Sequence, residues 1–224
     1  MKRGLLDALP FSIYVGALGI IFGASARPVG MSGLTASLMS LLVFSGSAQF
    51  VALGLWGQGL WTIVLSTVLL SSRFLLMSAS MAMRLSGTPL WQRALLGFSV
   101  SDEAYALFTT EGAVRGIPYL TGATVMLYGP WLIGTLIGVA VGPLVPLTWQ
   151  QPLMGLFPLT FAVLTVLTAG TRSKALVAVA GAVLSLAFVA CLPKGWNVPA
   201  AGLLASALGP VLERAGVAAK EVQA

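Results

Sequence analysis

Stretches of about 20 apolar residues, the length a helix needs to cross a hydrocarbon core, recur along nearly the whole of this 224-residue chain. In lipid only helices and closed barrels satisfy their own backbone hydrogen bonds. Runs such as Ala175–Leu192 lack the inside/outside alternation of a barrel strand. With 58% hydrophobic and 8% charged residues, a soluble domain could not wet its outer face. The expected fold class is therefore all-α: a polytopic transmembrane helical bundle of 7–8 spans forming a single integral membrane domain over residues 1–224.

The spans are expected at Leu9–Ala26, Leu34–Trp56, Leu60–Met83, Ala94–Thr110, Ile117–Gly142, Leu153–Ala169, Ala175–Leu192 and, shorter, Val198–Leu212. Gly57-Gln58-Gly59 turns the chain between the second and third, and Tyr128-Gly129-Pro130 interrupts the fifth. Ala24-Ser25-Ala26 imitates a signal-peptidase site, but Asp7 and Pro10 stand at the start of the apolar stretch, so an uncleaved first span is preferred. Eight spans put both termini on one side. An N-terminus in the cytoplasm leaves Lys2, Arg3, Arg115, Arg172, Lys174, Arg214 and Lys220 inside, against Arg27, Arg84, Arg93 and Lys194 outside. If the short last segment lies on the surface, the count is seven and the C-terminus moves outside. Spans one and two and spans six and seven share an apolar–basic turn–apolar pattern, a hint of internal repetition.

Three charges fall inside the spans: Arg73, Asp102 and Glu103. An ionised side chain at mid-bilayer costs roughly 2.5–3.5 kcal/mol even on lenient insertion scales, so each is a candidate for function. Arg73 stands about 20 Å into its span at 1.5 Å per residue, too deep to snorkel easily. Its expected partner is Asp102, Glu103 or a substrate carboxylate; a static ion pair is the competing reading. Asp102 and Glu103 are adjacent and about 100° apart on a helix. One is expected to face a cavity and the other a neighbouring helix or base, with Ser99 within hydrogen-bonding reach.

The second span holds Phe44-Ser45-Gly46-Ser47-Ala48-Gln49-Phe50 in its interior. Ser45, Gly46, Ser47 and Gln49 weaken a helix and offer polar atoms where lipid offers none. The stretch is expected to be distorted between Ser45 and Gln49, with backbone groups facing a substrate cavity. Close helix packing through the small residues is the alternative. Gly134, Gly138 and Gly142 give the fifth span one small face for close approach within the subunit or to a partner. Trp56, Trp61, Trp91 and Trp149 fall near span ends, where indoles act as interface anchors.

The chain has no histidine and one cysteine, Cys191. No intrachain disulfide framework, metal centre, cofactor or catalytic residue is expected, because the common ligands and general base are missing. A net charge of +6 is dispersed between the spans and reads as topology rather than nucleic-acid binding. There is also no phosphate-binding Gly-x-x-x-x-Gly-Lys loop.

Ser45-Gly46-Ser47-Ala48-Gln49-Phe50, Arg73-Phe74-Leu75-Leu76-Met77-Ser78-Ala79-Ser80 and Ser101-Asp102-Glu103-Ala104-Tyr105-Ala106-Leu107, in this order and spacing, resemble the AzlC family of branched-chain amino acid exporters. The likeness extends weakly to Leu192-Pro193-Lys194-Gly195-Trp196-Asn197. The resemblance implies export of valine, leucine, isoleucine and methionine across a bacterial inner membrane, and a separate small membrane subunit of the AzlD type. Phe74 departs from the family, in which histidine is frequent there, so a proton relay through that position is not expected.

A zwitterion suits the residues themselves. Arg73 or backbone amides would take its carboxylate, Asp102 or Glu103 its ammonium, and an aliphatic wall its side chain. Ser45, Gly46, Ser47, Gln49 and Arg73 are the expected substrate-binding set, and Asp102 and Glu103 the ion-coupling pair. A carboxyl moved between dry surroundings, which favour its neutral form, and a cation, which favours its charged form, exchanges a proton. Proton-coupled secondary transport follows as the expected mechanism. A channel for a small solute or ion, and an intramembrane enzyme, are the competing classes. Saturable, gradient-coupled flux separates the carrier from the first, and product formation identifies the second.

Overall fold

A computed structural model of the chain describes residues 1–85, 87–98, 100–109, 113–146, 148–149, 172–192 and 196–214, together with positions 152, 159, 162 and 166. All regular structure among them is helical. The helices are α1 (Lys2–Ala26), α2 (Gly33–Leu42), α3 (Gly46–Gly54), α4 (Leu60–Ser71), α5 (Arg73–Arg84), α6 (Leu90–Phe98), α7 (Asp102–Leu107), α8 (Ala113–Val141), α9 (Arg172–Val189) and α10 (Asn197–Arg214).

Four segments among the described residues are long and apolar enough to cross a membrane: Lys2–Val29, Leu60–Met83, Gly116–Leu144 and Arg172–Val189. Gly33–Leu42 and Ala200–Leu212 are shorter apolar helices. The sixth expected span, and with it the suggested repeat, falls on positions nearly all outside the described residues, as do Ser99, Lys194 and Lys220.

Three expected spans are divided: the third only at Ser72, between α4 and α5, and the second and fourth into half-helices. The second breaks between α2 and α3, and the fourth between α6 and α7. At both restarts a serine in an extended conformation caps the new helix. Ser45 Oγ accepts from the Ala48 amide at 3.5 Å, and Ser101 Oγ from the Ala104 amide at 3.2 Å. The fourth span is thus not the continuous helix expected from hydropathy. A serine cap and the acidic residues that follow it favour a helix start over a helix interior. Conversely, α8 runs through Pro130 without interruption, and its non-helical residue is Gly116 (φ 63°, ψ −155°). The turn at Gly57-Gln58-Gly59 is present, with both glycines in the left-handed region at φ 89° and 98°.

The centre of the fold is the pair α1–α8. A Cβ on Gly19 would collide with the Trp131 carbonyl, one on Gly23 with the Thr135 carbonyl, and one on Gly138 with the Ile20 carbonyl. The glycine face of the fifth expected span therefore packs within the subunit, against α1, at backbone contact distance. Positions rise together along both helices, from Gly4 beside Tyr119 to Gly23 beside Thr135, so the pair is parallel. A parallel pair requires an odd number of crossings between its members. Phe22, Phe50, Phe108, Leu120 and Leu127 fill the core around it. Trp61, Trp91 and Trp149 are exposed, as anchors would be, whereas Trp56 packs against the core.

Candidate functional site

The half-helices α3 and α7 both begin at one cavity. Its polar side is made by Ser45, Gly46 and Ser47 from the start of α3, and by Ser101, Asp102 and Glu103 from the start of α7. Val15 and Leu18 of α1, Leu127 and Trp131 of α8, and Phe44 and Phe74 make the apolar side. About 510 Å³ of empty space lies between these walls, its open side included.

Arg73 stands behind the polar wall at the start of α5. Its Nη2 donates to Asp102 Oδ2 at 2.8 Å and to Ser47 Oγ at 2.9 Å. The guanidinium carbon lies 5.0 Å from the centroid of the Phe74 ring. One cation thus ties the first turn of α3 to the first turn of α7. The side chains of Arg73 and Asp102 remain 33% and 27% exposed, and of the two Asp102 lines the cavity. The Ser45 and Ser47 hydroxyls are 3.4 Å apart.

Asp102 and Glu103 both line the cavity, which differs from the expectation that only one would. That expectation treated them as neighbours on the side of a helix. They are the first residues of one, and a helix end presents its whole first turn to the space in front of it. Of the two, Asp102 makes the ion pair with Arg73.

Gln49 is fully buried and does not line the cavity. Its Nε2 donates to Ser40 Oγ at 2.9 Å, and its Oε1 accepts from Trp131 Nε1 at 3.1 Å. Ser40 Oγ lies 2.8 Å from Thr135 Oγ1, which donates to the Trp131 carbonyl at 3.0 Å. Since the Thr135 proton is committed to that carbonyl, Ser40 must be the donor to Thr135. The bonds then close a ring through Gln49, Ser40, Thr135 and Trp131, with α2, α3 and α8 each contributing.

The distortion expected between Ser45 and Gln49 occurs slightly earlier. α2 ends at Leu42, Phe44 adopts φ 39°, and helix resumes at Gly46. Gly46 allows the Trp131 ring to close over the restart, because a Cβ there would lie 3.1 Å from the indole. Residues Gly46 to Gln49 are therefore the first turn of a helix, whose leading amides have no partner within it.

Sequence reasoning passed over Trp131, Ser40, Thr135 and Phe44. Trp131 had a usable signal: it lies well inside its span, where an interface anchor has no purpose. Ser40 and Thr135 are ordinary small polar residues of apolar stretches, and their pairing across 95 positions leaves no local trace.

Residues 10–145 match the family described as AzlC protein. An uncharacterized membrane protein of Archaeoglobus fulgidus is 27% identical over 213 residues, 94% of this chain and 93% of its own length. The inner membrane protein YgaZ of Escherichia coli is 28% identical over 62% of this chain and 60% of its own. The branched-chain amino acid transport protein AzlC of Bacillus subtilis is 26% identical over 61% of this chain and 57% of its own. This chain is therefore aligned with about three fifths of the length of each of the last two. No solved structure matches. The matched segment is more than half of the chain and contains every residue of the cavity wall: the chain belongs to the AzlC protein family, a family of multi-pass membrane proteins.

Proposed function

We propose that this protein exports branched-chain amino acids across a bacterial inner membrane by proton-coupled secondary transport. The observation that carries the reading is the cavity itself. Acidic groups and a helix start stand on one side and an aliphatic and aromatic wall on the other, with Arg73 fixing the polar side from behind. A zwitterion with an apolar side chain matches that division. Its ammonium group meets Asp102 and Glu103, and its carboxylate meets the Ser45 and Ser47 hydroxyls and the first amides of α3. Its side chain lies toward Val15, Leu18 and Leu127. Gln49 and Arg73 serve this site by positioning the groups that touch the substrate. The name of the Bacillus subtilis relative, a branched-chain amino acid transport protein, supports the substrate class. The name of the Escherichia coli relative supports the membrane.

Valine, leucine, isoleucine and methionine are the proposed substrates, and a small AzlD-like membrane subunit the proposed partner. The N-terminus is placed in the cytoplasm. Counterflow of radiolabelled leucine in proteoliposomes, with and without the candidate small subunit, tests the reading. Saturable exchange stimulated by unlabelled leucine on the far side is expected. Flux that is linear in concentration and insensitive to trans substrate would replace the carrier with a channel.

A further inference from the structure

Tyr128, Trp131 and Thr135 stand at i, i+3 and i+7 of α8, on one helix face, and this face meets both halves of the broken second span. On the α2 side, Tyr128 Oη donates to the Leu41 carbonyl at 2.7 Å, and the Thr135 and Ser40 hydroxyls are bonded at 2.8 Å. On the α3 side, the Trp131 indole holds Gln49 at 3.1 Å. The Tyr128 ring also meets Phe44 edge-on, with centroids 4.7 Å apart. In an unbroken helix the Leu41 carbonyl would accept the amide of Ser45, four residues on. Instead Phe44 at φ 39° turns the chain, a left-handed conformation that a bulky residue occupies only under external restraint. Ser45 is thereby released to cap α3. The Tyr128 hydroxyl donates to the carbonyl that the break leaves without this helical partner.

We propose that Tyr128 is a positioning residue for the cavity: by donating to the Leu41 carbonyl, which the break leaves without its helical partner, its hydroxyl favours the form in which α2 and α3 stay separate helices. It thereby holds Ser45, Gly46 and Ser47 at the wall. What those residues bind rests on the transport reading above; the latch itself does not. Without the hydroxyl, the Leu41 carbonyl has an intrahelical partner within reach as soon as Phe44 relaxes to a helical φ. Ser45 then ceases to be a cap, and the polar wall turns away from Asp102.

Residue-resolved amide exchange of the full chain in lipid nanodiscs decides this, paired with leucine counterflow. Tyr128→Phe removes one oxygen and keeps the ring. Exchange at the Ser45 amide is expected to slow by about tenfold or more as that amide becomes helical. The half-saturation concentration for leucine is expected to rise about three- to tenfold, the range that one neutral hydrogen bond supports, with a smaller change in maximal rate. Adding Phe44→Gly, which adopts the left-handed conformation without strain, should return Ser45 to fast exchange. Unchanged exchange at Ser45 in Tyr128→Phe overturns the proposal. So does slow exchange at Ser45 in the unsubstituted chain, matching the helical amides of α2, a measurement that needs no variant. If the unsubstituted chain carries no leucine, the transport reading fails while the exchange comparison still judges the latch.

Discussion

The 2.8 Å bond from Arg73 Nη2 to Asp102 Oδ2 joins two helix starts that lie 29 residues apart in the chain. The same nitrogen reaches Ser47 on a third. The restarted ends of the second and fourth spans are thus tied together by one guanidinium.

Arg73→Lys is expected to reduce leucine counterflow by about tenfold or more, since an ammonium cannot reproduce a planar guanidinium's directed bonds. Lysine also lacks the flat group that lies 5.0 Å from the Phe74 ring centroid. Initial rates at equal reconstituted protein, set beside thermal melts, separate a lost site from a lost fold. Near-normal flux in a well-folded lysine variant would show that the tie between α3 and α7 is dispensable.

Gln49→Leu should lower stability by about 1–3 kcal/mol, the cost of leaving a buried polar group unpaired. It removes the acceptor of the Trp131 indole and the donor to Ser40 together. Transport should fall as well, because the indole that closes over Gly46 loses its anchor. Thermal melting in detergent and leucine half-saturation are the two measurements. A variant that melts lower but transports with unaltered half-saturation would confine Gln49 to packing.

The α1–α8 contact predicts contrasting outcomes for two glycines of the same helix. Gly138→Ala puts a methyl group into the Ile20 carbonyl, whereas Gly129→Ala meets nothing within 4 Å. The first should reduce the yield of folded protein and lower the melting temperature. The second should be neutral or slightly stabilising, as alanine exceeds glycine by about 1 kcal/mol in a helix interior. Equal behaviour of both in a thermal-shift assay would contradict the packing.

Much of this was legible in the sequence, for identifiable reasons. The helical class followed from span length, and the pairing of Arg73 with a carboxylate from the cost of burying either alone. The glycine period of four announced a close helix contact, although its partner, α1, lies more than 100 residues away and has no local signature. Hydropathy averages over a window and so missed the break at Val100-Ser101. A serine followed by two acids is a helix-start signal that a longer apolar average conceals. Gln49 was expected among the substrate-binding residues, whereas it is fully buried and its amide makes its hydrogen bonds away from the cavity. Their destination, a ring closed by Trp131, Ser40 and Thr135, depends on how three helices meet and cannot be read from any one of them.

The last prediction concerns coupling through Asp102. On the transport reading, uphill export needs an energy source, and a carboxylate paired with a cation at the edge of a cavity can couple it to a proton gradient. If the carrier's reorientation separates α7 from Arg73, the acid passes from a paired to an unpaired state. Dry, unpaired surroundings favour the neutral acid, while a cation favours the carboxylate. A proton would then bind in one orientation and leave in the other. Asp102→Asn fixes the neutral state with almost no change of shape. It is expected to abolish accumulation driven by an imposed pH gradient while sparing exchange of labelled for unlabelled leucine. Glu103→Gln, whose side chain lies on the same wall without an ion pair to Arg73 among the described residues, should have the smaller effect. The measurement is leucine flux in proteoliposomes with opposed pH gradients, each variant beside the unsubstituted chain. Normal uphill flux in both variants would remove the proton from the mechanism, and accumulation that follows sodium instead would retain the carrier with a different ion.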